Sequence, residues 1–168
     1  VNGDVYGGTI YLTGDGAQWI RGNRTYANMV LTNTTAALLT STKYLSSNCT
    51  IDSMLNIANV IGSVVVDCID ASGNPVAFQG NGGLNMVSGK LRIKMLNTPS
   101  PELNATNPNT TYSLTGGTVE FYGSGATQQQ QIRGNYRTSS PVKINYYNID
   151  INANAANLQT FSSTPTPS

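Results

Sequence analysis

Eight carboxylates and nine lysines and arginines are all the side-chain charge in this 168-residue chain, and it contains no histidine. The acids are Asp4, Asp15, Asp52, Asp67, Asp70, Glu102, Glu120 and Asp150. Cleaving a glycosidic bond takes two carboxylates facing each other, or a basic residue beside a bound Ca²⁺. These acids are scattered along the sequence. Asp67 and Asp70 flank Cys68, and Asp70 opens the cluster Asp70-Ala71-Ser72-Gly73-Asn74-Pro75, where a turn accounts for it. Without histidine the commonest general base and the commonest metal ligand are both missing. We therefore expect no catalytic residue, no metal site, no cofactor and no enzyme activity.

Other residues offer binding or modification chemistry. Lys90, Arg92 and Lys94 alternate with Leu91, Ile93 and Met95, so on a strand all three cations share one face. Such a stripe can hold an anionic polysaccharide, or it can be a solvated face whose charges discourage strand-to-strand aggregation. Tyr11 and Tyr122 fall on the outward phase of their strands, where a ring can stack on a sugar or cover a neighbour. Trp19, Tyr26 and Tyr146 complete that aromatic set. Cys49 and Cys68 lie 19 residues apart. They are either a disulfide between adjacent coils, if a coil takes about 20 to 25 residues, or two buried thiols packing as small apolar groups. Asp52-Ser53-Met54 matches a three-residue O-glycosylation pattern, although Ser53 shares the apolar phase of Ile51, Leu55 and Ile57.

Composition narrows the class. Charged residues make up 10% of the chain and the net charge is +1. That disfavours a nucleic-acid partner, which calls for a basic surface, and a charge-driven disordered segment. Asn, Thr, Ser, Gly and Gln supply the polar surface instead, which suits an extracellular protein. No apolar run approaches the length of a membrane span. The chain opens at Val1 almost directly on a repeat, and we read it as a mature or excised piece of something longer.

The repeat is the strongest signal. Gly7 to Leu31 and Gly116 to Ile151 match at Gly7-Gly8-Thr9-Ile10 with Gly116-Gly117-Thr118-Val119, and at Gly14-x-Gly16-Ala17 with Gly123-x-Gly125-Ala126. They match again at Ile20-Arg21-Gly22-Asn23 with Ile132-Arg133-Gly134-Asn135, and at Tyr26-x-Asn28 with Tyr146-x-Asn148. Fixed-period similarity marks a repeat architecture. Asn28 and Asn148 occupy matching places and suit a hydrogen-bonded ladder between coils.

Between and within the copies run short alternating stretches that read as strands: 7–13, 18–21, 27–32, 38–39, 44–45, 49–57, 64–69, 76–79, 84–86 and 91–95. Val64 to Ile69 is the most β-branched and is expected to be central. Residues 96–111, with Pro99, Pro101 and Pro108, break the rhythm as a surface excursion, and 162–168 reads as a Ser/Thr/Pro linker. No window carries a helical period. The fold class is all-β: a right-handed parallel β-solenoid over residues 1–161, with a β-sandwich as the alternative.

The motifs GGTVEFYGSGA, QQIRGN and YYNIDIN resemble the repeat units of large secreted surface adhesins of Bacteroidota, of the gliding-motility type exported by the type IX system. The stretches TIDSMLNIANVIGSVVVDC and VAFQGNGGL resemble the interior of such a unit. The resemblance implies a non-catalytic, filament-building or adhesive segment at the cell surface, associated with the outer membrane. Its implied partners are neighbouring repeats, a surface or polysaccharide ligand, and type IX components. Two alternatives are a tailspike- or lyase-like β-helix module that binds or degrades carbohydrate, and secretion cargo captured with export partners. The chain departs from the family in its run of glutamines at 128–131, its Pro-rich insert and its lack of the sorting domain.

Overall fold

Runs of five or six residues with a two-residue period can bury only one face, so they need a partner surface at every turn. The computed structural model describes residues 5–34, 40–60, 63–94, 111–123, 130–133, 135–136, 142–153 and 159–162. There the chain is all-β, and its parallel strands stack as a β-solenoid of about four turns. The strands are β1 (Val5–Leu12), β2 (Ala17–Ile20), β3 (Arg24–Asn33), β4 (Thr40–Leu45), β5 (Cys49–Asn59), β6 (Ser63–Asp67), β7 (Phe78–Gln79) and β8 (Gly83–Met86). They continue with β9 (Lys90–Lys94), β10 (Tyr112–Leu114), β11 (Thr118–Gly123), β12 (Gln130–Arg133), β13 (Asn135–Tyr136), β14 (Val142–Lys143), β15 (Ile149–Ala153) and β16 (Gln159–Ser162).

The chain alternates between two sheets. One runs β1-β3-β5-β8-β10, with β7 also on β5; the other runs β2-β4-β6-β9-β11-β15. Both are parallel. Among the described residues the antiparallel pairings are the short β13–β14 contact and the bridge between Ile69 and Pro75. A sandwich of antiparallel sheets is thereby ruled out. Val64–Asp67 is central as expected, since β6 lies between β4 and β9.

Registered stacking makes the core. In the first sheet Ile10, Met29, Leu55 and Leu84 lie one over another, and so do Leu12, Leu31, Ile57, Met86 and Leu114. In the second, Val66, Leu91, Val119 and Ile149 form one column, and Ile93, Phe121 and Ile151 another. Most of these side chains are buried. Ile149 and Ile151, on the last strand of the sheet, remain 39% and 42% exposed.

A third, shorter run completes each winding. Arg24 aligns with Cys49 and Cys49 with Phe78, while Tyr26 aligns with Ile51. The register then slips, so that Asn28 meets Met54. The extra residue on β5 is a bulge, and it leaves both Asp52 and Ser53 exposed. Simple alternation puts Ser53 on the apolar phase; the bulge takes it off.

The two matched copies prove to be windings, not duplicated blocks in equivalent places. In each, the first strand pairs with the last: Ile10 with Met29, and Val119 with Ile149. Yet β1 belongs to the first sheet and β11 to the second. What repeats is a first strand that pairs with the strand one winding later; in the first copy a glycine corner lies between them. At the corner, a Cβ on Gly22 would fall 2.4 Å from the Ser47 backbone nitrogen of the next winding. The strand read at 38–39, most of the excursion at 96–111 and most of the linker lie outside the described residues.

Core substitutions should therefore scale with position along the axis. Leu55→Ala, in the middle of its column, is expected to cost about 2–5 kcal/mol in urea unfolding, and Gly22→Ala about 1–3 kcal/mol through the forced shift at the corner. Ile149→Ala should cost clearly less than Leu55→Ala; equal costs would contradict a core that is open at this strand.

Candidate functional site

The outer face of the second sheet gathers charge that the sequence scatters. Strand alternation points Val64, Val66, Leu91, Ile93, Val119 and Phe121 inward, so Asp67, Arg92, Glu120 and Asp150 point out. Register does the rest. Trp19, Tyr44, Asp67, Arg92, Glu120 and Asp150 form a single row across all six strands.

Arg92 holds the middle of the row. Its Nη1 donates to Asp67 Oδ2 at 2.6 Å and its Nε to Glu120 Oε2 at 2.8 Å. Lys90 Nζ lies 3.4 Å from Glu120 and 3.5 Å from Asp150. Tyr122 donates its hydroxyl to Asp67 Oδ1 at 2.5 Å, and the Arg92 guanidinium sits 4.2 Å from its ring centroid. Asn152 Nδ2 donates to Glu120 Oε1 at 3.2 Å. Asp67 and Glu120 are only 2% and 4% exposed, a placement that acids reach when paired.

Protonation follows from these contacts. Burial pushes the Glu120 carboxyl upward, but hydrogen bonds from Arg92 and Asn152, with the charges of Arg92 and Lys90, outweigh it and hold it below its ordinary value. Burial likewise works against the Arg92 charge, and Glu120 and Asp67 overcome it. The Tyr122 phenol is raised by burial first and then by its bond to Asp67. These groups are held in fixed charge states by one another.

The cation stripe is thus present but committed. Lys90 and Arg92 are paired with acids from neighbouring windings, and Lys94 Nζ donates to the Gly73 carbonyl at 2.7 Å. Tyr122 points outward as expected, but its hydroxyl and ring are both engaged. Tyr11 is 66% exposed. Trp19 stacks on Tyr44 with centroids 4.8 Å apart and planes 24° from parallel. Tyr26 is buried and donates to the Arg21 carbonyl at 2.7 Å; Tyr146 packs its edge on Phe121.

An asparagine contact between windings exists at positions other than the matched ones: Asn85 Nδ2 donates to Asn56 Oδ1 at 3.0 Å. Asn148 instead donates to the Gly117 carbonyl at 3.1 Å. Asp70 caps its own turn, accepting from the Ser72 and Asn74 backbone amides and the Asn74 side chain.

Cys49 and Cys68 are free, buried thiols, so of the two alternatives small-group packing is the one found. Cys49 stands in register with Phe78, whereas Cys68 follows Asp67, whose partner is Tyr44. A winding takes 25 residues from Ala17 to Thr42 and 29 from Cys49 to Phe78. Nineteen residues therefore do not bring the cysteines into register. Burial pushes the Cys49 thiol up to about 12, and raises Cys68 as well.

The residues missed in the sequence are Tyr44, Asp67, Glu120 and Asp150 as members of one row, and Asn152 beside it. The signal is spacing: Asp67 to Arg92 and Arg92 to Glu120 are 25 and 28 residues, each one winding. Among the described residues no three of His, Cys, Asp or Glu are placed to hold a metal, and no helix is long and apolar enough to cross a membrane.

Three outcomes follow. Arg92→Leu uncovers two buried carboxylates and should cost about 3 kcal/mol, the low end for breaking a buried pair because Arg92 is itself partly exposed. The Glu120 contribution is present above its ordinary value of 4.5 and is lost as pH falls through its depressed folded-state value. Melting temperature measured across that acid range should fall less steeply in Glu120→Gln than in the parent. In the native state both thiols should resist a disulfide reagent and react only after urea is added; prompt native labelling of Cys49 would contradict its burial.

Comparison with protein-family models, with curated proteins and with solved structures finds no match to this chain.

Proposed function

We propose that the chain is a non-catalytic structural and adhesive segment of a repetitive secreted or cell-surface protein, of the adhesin kind its motifs resemble. The observation that carries this reading is the Asp67–Arg92–Glu120 row. Its ionisable side chains bind one another between windings. A general acid or base needs a group free to exchange a proton with substrate, whereas here the charges hold successive strands together. Columns of apolar side chains run parallel to that row. Such a body transmits position along its axis, and attachment then comes from outward side chains.

A second reading rests on a different observation. Tyr11 and the Trp19–Tyr44 pair present aromatic surface at one end of the sheets, which suits stacking on sugar rings. In this form the segment is a carbohydrate-binding module, and its ligand lies along the axis beside Trp19. Surface export, with type IX components as partners, belongs to the first reading and rests on the resemblance alone.

One experiment separates these readings. The purified chain is applied to a glycan array and, separately, incubated with a panel of acidic and neutral polysaccharides while reducing ends and unsaturated products are monitored. The structural reading expects no product release. Binding lost in Trp19→Ala supports the carbohydrate module. Product formation lost in Glu120→Gln or Tyr122→Phe would overturn the non-catalytic reading. Antibody to the chain should label intact cells or culture medium of the organism that makes it; labelling only after lysis would count against the surface location.

A further inference from the structure

Lys43 is the anomaly of the interior. It lies on β4 at an inward position, in the column Gln18, Lys43, Val66, Leu91 and Val119. Its residue exposure is 0%, and it is the largest fully buried side chain among the described residues. Three oxygens surround its amine, and none is a carboxylate: the Gly14 carbonyl at 2.8 Å, Ser41 Oγ and Gln18 Oε1. A buried ammonium without an acid partner is costly, and the remedy open to a lysine is to give up its proton. Burial does pull Lys43 below its ordinary value, with Asp15 acting in the opposite sense. The fraction of Lys43 that has given up its proton is a nucleophile.

The electrophile is its neighbour. Gln18 stands directly opposite Lys43 on the adjacent strand β2, and both side chains reach the same interior space. The Gln18 amide is folded against Gly14, where a Cβ would meet Nε2 at 2.7 Å. Ser41 Oγ donates to the Gly14 carbonyl at 2.7 Å and also contacts the amine. It is placed to accept a proton from the amine.

We propose that Lys43 and Gln18 form an intramolecular isopeptide bond that staples the β2 winding to the β4 winding. Nζ of the neutral amine attacks Cδ of the Gln18 amide, and a new Nζ–Cδ bond forms. The Cδ–Nε2 bond then breaks. Nε2 leaves as ammonia after receiving the one proton that Nζ gives up. A primary amine and a primary amide become a secondary amide and ammonia, with no change of oxidation state and no added reagent. Holding the groups in register supplies the proximity that makes such a slow transfer feasible. The bond replaces a polar contact by a covalent one at one end of the described strands of the second sheet.

Intact mass spectrometry of the denatured full chain tests this. The protein should be lighter than its sequence by one ammonia, and Gln18→Met should have its full sequence mass. Trypsin should fail to cut after Lys43 and should release a peptide ending at Arg21 joined to one that runs through Lys43. A parent mass equal to the sequence after prolonged incubation of the folded protein overturns the proposal. So does loss of ammonia with those two peptides still separate, which would place the loss in a succinimide at an Asn-Gly pair such as Asn81-Gly82.

Discussion

Side chains that face inward in this chain stack on the inward side chains of the next winding, and the rest of the structure depends on that register. A parallel ladder sets neighbouring strands about 4.8 Å apart, so each column is a continuous apolar rod only if its members come from the same position in every winding. Leu12, Leu31, Ile57, Met86 and Leu114 meet that condition. A one-residue slip would turn a whole strand over and expose its apolar set. The corners absorb the differences in winding length, through the bulge at Asp52 and Ser53 and the glycine at 22 that lets two backbones approach.

The same register that builds the core also builds the charged row outside it. Once Val66, Leu91 and Val119 are aligned within, Asp67, Arg92 and Glu120 must align without, because alternation leaves them no other face. Their pairing therefore costs little additional ordering. It also changes the meaning of the basic residues on β9. Viewed on one strand, Lys90, Arg92 and Lys94 are a positive stripe; viewed across the sheet, they are partners of acids and of a carbonyl from other windings. Burial of Asp67 and Glu120 is tolerable because Arg92 presents a donor to each.

The polar exception inside, Lys43 with Gln18 and Ser41, obeys the same geometry. It sits in the column that continues as Val66 and Leu91, at the end where the stack begins among the described residues. An apolar residue there would match the rest of the column. The amine is retained with oxygens around it, and that places an amine and an amide side by side between the first windings of the second sheet.

Much was already written in the order of residues. Alternation at Ile10 and Leu12, at Leu55 and Ile57 and at Leu91 and Ile93 determined strands with one buried face, and the glycines at 14, 16 and 22 marked where the chain turns. The self-similarity of 7–31 and 116–151 marked a repeat architecture, but that each copy is one winding shows only in the pairing of its strands. Local pattern cannot say which winding rests on which, nor on which sheet it starts, and so β1 and β11, alike in sequence, lie in different sheets. The one-residue bulge that frees Ser53 was equally hidden, since it appears only when β5 is laid against β3. Tertiary register alone decided that Asp67, Arg92 and Glu120 meet, that Tyr122 is engaged, and that Cys49 and Cys68 stay apart as thiols. The physical reason is that periodicity fixes the face a side chain takes within its own strand, whereas its neighbours on that face are set by the length of chain spent going once around.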